Sequence, residues 1–305
     1  MFRLPGLYRI GRPLAFACNT KAPLRSSLFL KPSAVFSKPT SLLSQLRSYR
    51  SLTWKRYNRH YNLNKINWQR LAKPALFTGV FCVATTVGIP FLFLLPPFSS
   101  IYRYPKTVLY SIIAINVAGF FAWRIPAASR FMTRYGLLLK DNVYSSWTLL
   151  GSAFSHQDGF HILFNMMMLY SFGSSLCVFL GPANFLVMYL NSAVISSFFS
   201  LLVPAALRSS LAVGSLGASG AIMSVFGTFA YLFPRASIGF FFIPIPGGAW
   251  AVFLASIAVN AAGIVLKWSR YDFSAHLGGC VAGFAYGWWY DKLRKEKRRA
   301  SYRLN

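Results

Sequence analysis

The chain has 305 residues, of which 55% are hydrophobic and 12% are charged, and its formal net charge is +27. A soluble globular protein of this length needs more charged residues to cover its surface, so the composition excludes that class. Outside the N-terminal region, the high apolar and aromatic content also excludes intrinsic disorder. The chain is therefore predicted to be an all-α polytopic membrane protein.

The N-terminal region has the composition of a mitochondrial transit peptide. Residues 1–73 hold 15 of the 32 Lys and Arg residues, and the first acidic residue of the chain is Asp141. Transit peptides are basic, rich in Ser and poor in acids. The string RSYR at positions 47–50 resembles a site of the mitochondrial processing peptidase, with the cut after the tyrosine. We predict a transit peptide over 1–49 and a basic segment over 50–74; a basic tail that faces the cytosol is the alternative.

Seven apolar segments follow, separated by breaks that contain Pro, Gly or charged residues. They cover residues 75–95, 107–123, 160–179, 183–203, 214–233, 249–266 and 273–290. Each is predicted to be a transmembrane helix, because helices inside a bundle can be shorter than the roughly 20 residues that an isolated span needs. The linker over 124–159 is rich in aromatic residues and is predicted to lie at the membrane interface. A basic tail, 291–305, follows the last segment.

The basic residues flank the predicted spans, and seven of them lie between positions 292 and 303. Such clusters set membrane topology or contact anionic lipid. No nucleic-acid recognition motif accompanies them, so we expect contact with the lipid bilayer and no nucleic-acid partner. The cysteines of the apolar segments, Cys82, Cys177 and Cys280, show no paired spacing. We therefore expect neither a disulfide framework nor a zinc site, and we predict no cofactor.

Strongly polar side chains in membrane spans are energetically unfavourable and therefore mark candidate functional residues. His161 and Asn165 are four residues apart at the start of the third segment, so they share one face of a helix. Together they supply hydrogen-bond donors suited to an oxyanion, whereas hydrogen bonding between helices is the structural alternative. His156 lies five residues earlier and is predicted to lie at the loop junction.

Small residues line the fifth and seventh segments. One stripe lies at positions 220, 224 and 227, and a second at positions 279, 283 and 287. Two such faces let helix backbones approach each other closely. Because Ser219 and His276 lie just before these stripes, close packing would bring a hydroxyl beside an imidazole. That pair is the minimum for an activated nucleophile.

The order of the segments supports the same grouping. His161, Ser219 and His276 lie in about the first turn of the third, fifth and seventh segments. Because odd-numbered helices cross the membrane in one direction, these first turns are predicted to lie near the same membrane face. A transporter with a polar pathway through these residues is the alternative. The absence of internal repeats and of carboxylates inside the spans argues against it.

At these residues the sequence resembles the rhomboid intramembrane serine proteases. The family motifs HxxxxHxxxN, GxSG and AHxxG match positions 156–165, 217–220 and 275–279, in order and in register. The resemblance covers about 107–290, and it implies a rhomboid core of six helices preceded by one extra helix at 75–95. The extra helix and the leader resemble the mitochondrial inner-membrane branch, which comprises the presenilin-associated rhomboid-like type and its fungal counterparts.

The resemblance implies a role for each motif residue. Ser219 would be the nucleophile, and His276 would be the general base and then the acid for the leaving amine. The backbone N–H of Ser219 and the remaining motif residues would form or support the oxyanion hole. These motif residues are His161, Asn165, His156 and Gly217. Gly217 would let the backbone and the substrate approach each other.

Two further positions bear on this site. Asp272 lies four residues before His276 and is interpreted as a helix N-cap, so it is not expected to complete a catalytic triad. Met223 stands where bacterial relatives often place a Tyr against the catalytic His. The resemblance therefore leaves open what orients His276.

The resemblance implies that membrane-anchored protein substrates are cleaved in or near their transmembrane segments. By the same resemblance, the substrates include a dynamin-like GTPase of membrane fusion and a cytochrome c peroxidase precursor. A catalytically inert rhomboid-like protein that binds membrane clients is the alternative function. The presence of both Ser219 and His276 favours the protease.

Overall fold

The computed structural model of the protein describes residues 68–207, 214–240 and 243–303. These residues fall within one compact unit, Asn58–Asn305. The predicted transit peptide over 1–49 lies outside the described residues, as does most of the basic segment over 50–74.

The described residues are predominantly helical. Their α-helices are α1 (Trp68–Leu92), α2 (Lys106–Ala122), α3 (Ser129–Tyr135), α4 (Thr148–Gly151), α5 (Gly159–Leu180), α6 (Pro182–Ala206), α7 (Ser219–Leu232), α8 (Gly248–Val265) and α9 (Phe273–Arg303). Short 3₁₀ helices cover Phe98–Arg103, Pro126–Ala128 and Ser152–Phe154. Strand β1 (Leu138–Leu139) pairs antiparallel with β2 (Gly214–Ser215), and β3 (Ile238–Phe240) pairs antiparallel with β4 (Ile243–Ile245).

Each predicted apolar segment contains an α-helix, which confirms the all-α polytopic membrane fold. The segment predicted over 214–233 is only partly helical, because its helix is short and begins at Ser219. Four of the described helices are long and apolar enough to cross a membrane alone, namely Arg70–Leu92, Gly159–Leu180, Pro182–Ala206 and Gly248–Val265. A fifth span results if α2 is joined to Pro126–Tyr135, from which it is bent by 102°. The helices that carry the serine and histidine of the motifs, α7 and α9, are not among them.

Helix α7 lies in the interior of the helix bundle. It has 14 residues, and nine of them are buried, including Gly220, Val225 and Thr228. At 1.5 Å per residue the helix is about 21 Å long, which is shorter than the roughly 30 Å hydrocarbon layer. A short helix is stable here because neighbouring helices surround it. Its length therefore does not have to match the thickness of the hydrocarbon layer.

The glycine stripes form the contact between α7 and α9. A Cβ atom at Gly279 would collide with the backbone oxygen of Gly220, and one at Gly283 would collide with the backbone of Ser224. The hydroxyl of Thr228 adds a hydrogen bond to the Gly283 carbonyl oxygen, 3.0 Å away. The predicted close approach is therefore confirmed, and it leaves no room for a side chain at either glycine.

A polar contact inside the apolar region joins the extra helix α1 to α6. Thr85 donates a hydrogen bond to the side-chain oxygen of Asn191. The Asn191 amide in turn donates to the Thr86 hydroxyl at 3.0 Å. Hydrogen bonds of this kind position neighbouring helices where apolar surface alone gives little preference over lipid.

An ion pair connects the linker over 124–159 to the start of α9. Lys140, directly after β1, lies 2.9 Å from Oδ2 of Asp272, which also accepts a hydrogen bond from Ser200 on α6. Oδ1 of Asp272 accepts from the backbone N–H of Ala275 at 3.1 Å, so the predicted N-cap is confirmed. Burial raises the pKa of Asp272, but Lys140 and the hydrogen bonds outweigh burial and hold the pKa below its usual value of 3.8.

The glycine contact predicts a large difference between two Gly→Ala variants. Gly283→Ala is expected to lower the free energy of unfolding by about 1–3 kcal/mol, because α7 and α9 must separate to admit the methyl group. Gly88→Ala on α1 is the control, since a Cβ there meets nothing within 4 Å. Alanine favours a helix over glycine, so the control is expected to be neutral or slightly stabilising. Thermal unfolding in detergent measures both; equal melting temperatures would contradict the packing.

The ion pair predicts a second stability difference. Lys140→Met is expected to destabilise the protein by about 3–5 kcal/mol, because it leaves the Asp272 carboxylate buried without its cation. Adding Asp272→Asn should recover part of this loss, since asparagine caps a helix well and carries no charge. Lys295→Met, which removes the exposed Lys295–Asp291 pair, is the control and should change little.

The Lys140–Asp272 ion pair also makes the stability of the protein depend on pH, in a direction that follows from the lowered pKa of Asp272. A carboxylate with a lowered folded-state pKa contributes stability above the unfolded-state value, and this contribution is lost as the pH falls through the folded-state pKa. The wild type should therefore lose stability below about pH 3.8, and Asp272→Asn should lose less. An identical acid dependence of the two proteins would contradict this assignment.

Candidate active site

A serine and a histidine from two helices meet at the start of the α7–α9 contact. Ser219 is the first residue of α7, and His276 lies in the first turn of α9. The Ser219 hydroxyl lies 2.8 Å from Nε2 of His276. The glycine contact just beyond both residues sets this distance, because it brings the two backbones together. Both residues are only partly buried.

The other side of the His276 ring contacts a residue that the sequence motifs do not include. Nδ1 of His276 lies 3.0 Å from Oδ1 of Asn260, which is on α8. Asn260 is almost fully buried, and its own amide donates to the carbonyl oxygen of Ser256 at 2.8 Å. The signal in the sequence was an amide within an otherwise apolar predicted span, which is the kind of residue that warrants a functional hypothesis.

His156 lies at the junction between the preceding loop and α5, as predicted from the sequence. The ring is fully buried. Its Nε2 lies 2.9 Å from the amide nitrogen of Asn165 and 3.3 Å from the backbone N–H of Ala218, the residue before Ser219. Since both partners are N–H donors, Nε2 accepts both hydrogen bonds and the ring proton is on Nδ1. His156 therefore orients Asn165 and fixes the backbone that leads to Ser219.

Burial controls the charge of this histidine. Burial lowers the pKa of His156 to about 3, and the neighbouring His161 lowers it further when that ring is charged. A positive charge on His156 would also require a proton on Nε2, which would break the bonds to Asn165 and Ala218. The ring is therefore neutral over the physiological pH range.

His161 and Gly217 face each other at the edge of the site. The backbone N–H of His161 donates to the capping carboxylate of Asp158 at 2.8 Å, which fixes the start of α5. Gly217 has a φ of +125°, and a Cβ atom there would lie 2.7 Å from Cε1 of the His161 ring. Only glycine combines this backbone conformation with this clearance.

The segment that leads to Ser219 is fixed at three successive points. Ser215 pairs with Leu138 in the β1–β2 ladder. The N–H of Gly217 donates to the Ser152 carbonyl oxygen at 2.8 Å, and the N–H of Ala218 bonds to His156. The linker over 124–159, whose contribution the sequence did not indicate, therefore holds the backbone before the serine. Across the described ranges, no group of three or more His, Cys, Asp or Glu residues is placed to hold a metal ion.

The neutral His156 predicts a pH dependence of stability. Between pH 6.5 and about 3, the unfolded chain takes up a proton at this histidine that the folded protein does not bind. The free energy of unfolding should therefore decrease as the pH falls through this window. His156→Gln should weaken the dependence, since glutamine does not titrate. Chemical unfolding in detergent at several pH values measures the free energy of unfolding. If this free energy depended on pH equally in the variant and the wild type, the assignment would be contradicted.

Comparison with known proteins identifies the family. The family model described as a rhomboid domain matches residues 144–292. Rhomboid protein 1, mitochondrial, of Saccharomyces cerevisiae is 46% identical over 226 residues, which are 74% of this chain and 64% of that protein. Presenilin-associated rhomboid-like protein, mitochondrial, of Homo sapiens is 38% identical over 180 residues, which are 57% of this chain and 46% of the human protein.

A relative from fish gives the same result. Presenilin-associated rhomboid-like protein A, mitochondrial, of Danio rerio is 36% identical over 182 residues, which are 59% of this chain and 47% of that protein. The chain thus matches between about half and just under two thirds of the length of these relatives. Together, the matched domain, the relatives and the membrane helices show that the chain belongs to the rhomboid family, in its mitochondrial type, and is a multi-pass mitochondrial membrane protein.

Proposed function

We propose that this protein is an intramembrane serine protease of the mitochondrial inner membrane, with Ser219 and His276 as its catalytic dyad. The observation that carries the proposal is the 2.8 Å separation of the Ser219 hydroxyl from Nε2 of His276. A neutral imidazole at hydrogen-bond distance can accept the hydroxyl proton as the oxygen attacks a carbonyl carbon. The same imidazole then donates that proton to the leaving amine.

The oxyanion that forms during the attack requires hydrogen-bond donors beside Ser219. The backbone N–H of Ser219 is one of the first N–H groups of α7, which an α-helix leaves without partners inside the helix. The Asn165 amide carries a second N–H besides the one that bonds to His156. His161, opposite Gly217, is the third donor. These groups are neutral and preorganised, so they stabilise a developing negative charge without reorganising.

The substrate is proposed to be a membrane-anchored protein cleaved in or near its transmembrane segment. A peptide bond inside a membrane helix has its carbonyl and N–H groups engaged in hydrogen bonds, so the helix must unwind locally before the serine can attack. Substrates with Gly or Pro near the cleaved bond should therefore react faster. By family resemblance, we propose a dynamin-like fusion GTPase as one substrate. Water then hydrolyses the acyl-enzyme, with His276 as the base.

The dyad is tested with matched serine variants of the purified protein. Ser219→Ala and His276→Ala should each lower cleavage of a single-span reporter by at least about 10³-fold, and should abolish labelling by a fluorophosphonate probe. Ser224→Ala is the control, because this buried serine on the same helix bonds to Ser192 and not to the histidine. It should keep most of the activity.

The possible results separate the proposed protease from the alternatives. Probe labelling that persists in Ser219→Ala would place the nucleophile at another residue. A folded wild type that neither labels nor cleaves would instead favour an inert rhomboid-like protein that binds membrane clients. A reporter with its helix-breaking residues replaced by Leu should be cleaved more slowly by the wild type, since its helix unwinds less readily.

A further inference from the structure

The contact between α8 and the catalytic histidine has no counterpart in the sequence motifs. Asn260 Oδ1 lies 3.0 Å from Nδ1 of His276, on the side of the ring opposite Ser219. The two residues are on different helices, so the contact depends on how closely α8 approaches α9. Gly263 permits that approach, because the ring of Phe273 at the start of α9 occupies the space of a Cβ atom there.

The orientation of the Asn260 amide follows from its second hydrogen bond. Its nitrogen lies 2.8 Å from the carbonyl oxygen of Ser256, one turn earlier on α8. A carbonyl oxygen only accepts hydrogen bonds, so the nitrogen of the amide must face it. The amide oxygen therefore faces His276 and can only accept. It follows that Nδ1 of His276 carries the ring proton and that Nε2 presents a lone pair to the Ser219 hydroxyl.

The acidic residue nearest in sequence directs its hydrogen bonds to other groups. Both carboxylate oxygens of Asp272 are engaged, Oδ1 with the N–H of Ala275 and Oδ2 with Lys140 and Ser200. Within the described part of the chain, the hydrogen-bond partner of Nδ1 is therefore an uncharged amide. This arrangement keeps an unpaired negative charge away from a site within the membrane, where such a charge is strongly unfavourable.

We propose that Asn260 is a positioning residue of the dyad, which holds the imidazole of His276 in the tautomer and orientation that leave Nε2 free to accept the serine proton. This inference rests on the proposed protease function. A histidine without such a partner can rotate, or can carry its proton on Nε2, and in either state it cannot act as the base. The same bond strengthens when His276 becomes an imidazolium, because a charged donor forms a stronger hydrogen bond.

The kinetic test compares two replacements of Asn260 with a matched control. Asn260→Leu keeps the size of the side chain and removes the acceptor, so kcat should fall by about 10- to 100-fold while KM changes little. Asn260→Asp retains an acceptor oxygen and should restore kcat at alkaline pH. Its negative charge favours the imidazolium, so the acid limb of the pH–kcat profile should move to higher pH. Asn184→Leu, which removes a similar amide bond to the Leu180 carbonyl, should keep the wild-type kcat and profile.

The spectroscopic test reads the protonation of the ring nitrogens in the wild-type protein, independently of catalysis. The chain has only four histidines, so ¹⁵N-labelled histidine gives few signals, and His276→Gln identifies those of His276. At neutral pH, the nitrogen shifts should show a protonated Nδ1 and an unprotonated Nε2. In Asn260→Leu, the two tautomers should exchange. A proton on Nε2 in the wild type would overturn the proposal.

The results distinguish this inference from the proposed function. If Ser219→Ala is inactive while Asn260→Leu keeps the wild-type kcat and pH profile, the role of Asn260 is refuted and the protease remains. If the wild type shows no serine-dependent cleavage, the protease is refuted. The nitrogen shifts of His276 then still report whether Asn260 sets its tautomer.

Discussion

The direct backbone contact between α7 and α9 is the constraint on which the site depends. Gly279 and Gly283 lie against the backbone of α7 with no space for a side chain. Ser219 lies in the first turn of α7, and His276 lies in the first turn of α9 on the same side of the bundle. The contact therefore brings their side chains to hydrogen-bond distance. Association between membrane helices depends on such close packing, because lipid already satisfies their apolar surfaces. Two apolar helices thereby hold a polar pair in a fixed geometry.

Around this contact, the protein positions its polar groups with neutral hydrogen bonds. His156 holds Asn165 and the backbone before Ser219, while Asn260 contacts the far side of His276. Neutral partners suit a site near the apolar layer, since each unpaired charge there is costly. The buried charge of Asp272 is balanced by Lys140 and attaches the linker over 124–159 to α9. The charged pair thus stabilises the surrounding structure, whereas neutral amide and imidazole groups position the site.

The sequence predicted the parts of this structure that local rules control. The apolar segments predicted where the helices lie, the small-residue stripes predicted which faces of α7 and α9 meet, and Asp272 was identified as an N-cap. Two residues could not be placed from spacing. Asn260 reaches His276 only because α8 packs beside α9, and Lys140 reaches Asp272 only because the linker over 124–159 folds back. Both contacts join separate elements of the fold, and no short motif encodes them.

The sequence by itself therefore determined the class of protein, the helices and the residues with reactive side chains, because hydrophobicity, spacing and residue chemistry are local properties. Only the tertiary structure decided which groups surround each reactive side chain. The partner of Nδ1 of His276, the neutral state of His156 and the anchoring of the backbone before Ser219 all depend on the packing of separate helices and loops. Hydrogen bonds act over about 3 Å, so they are fixed only when the whole bundle has assembled.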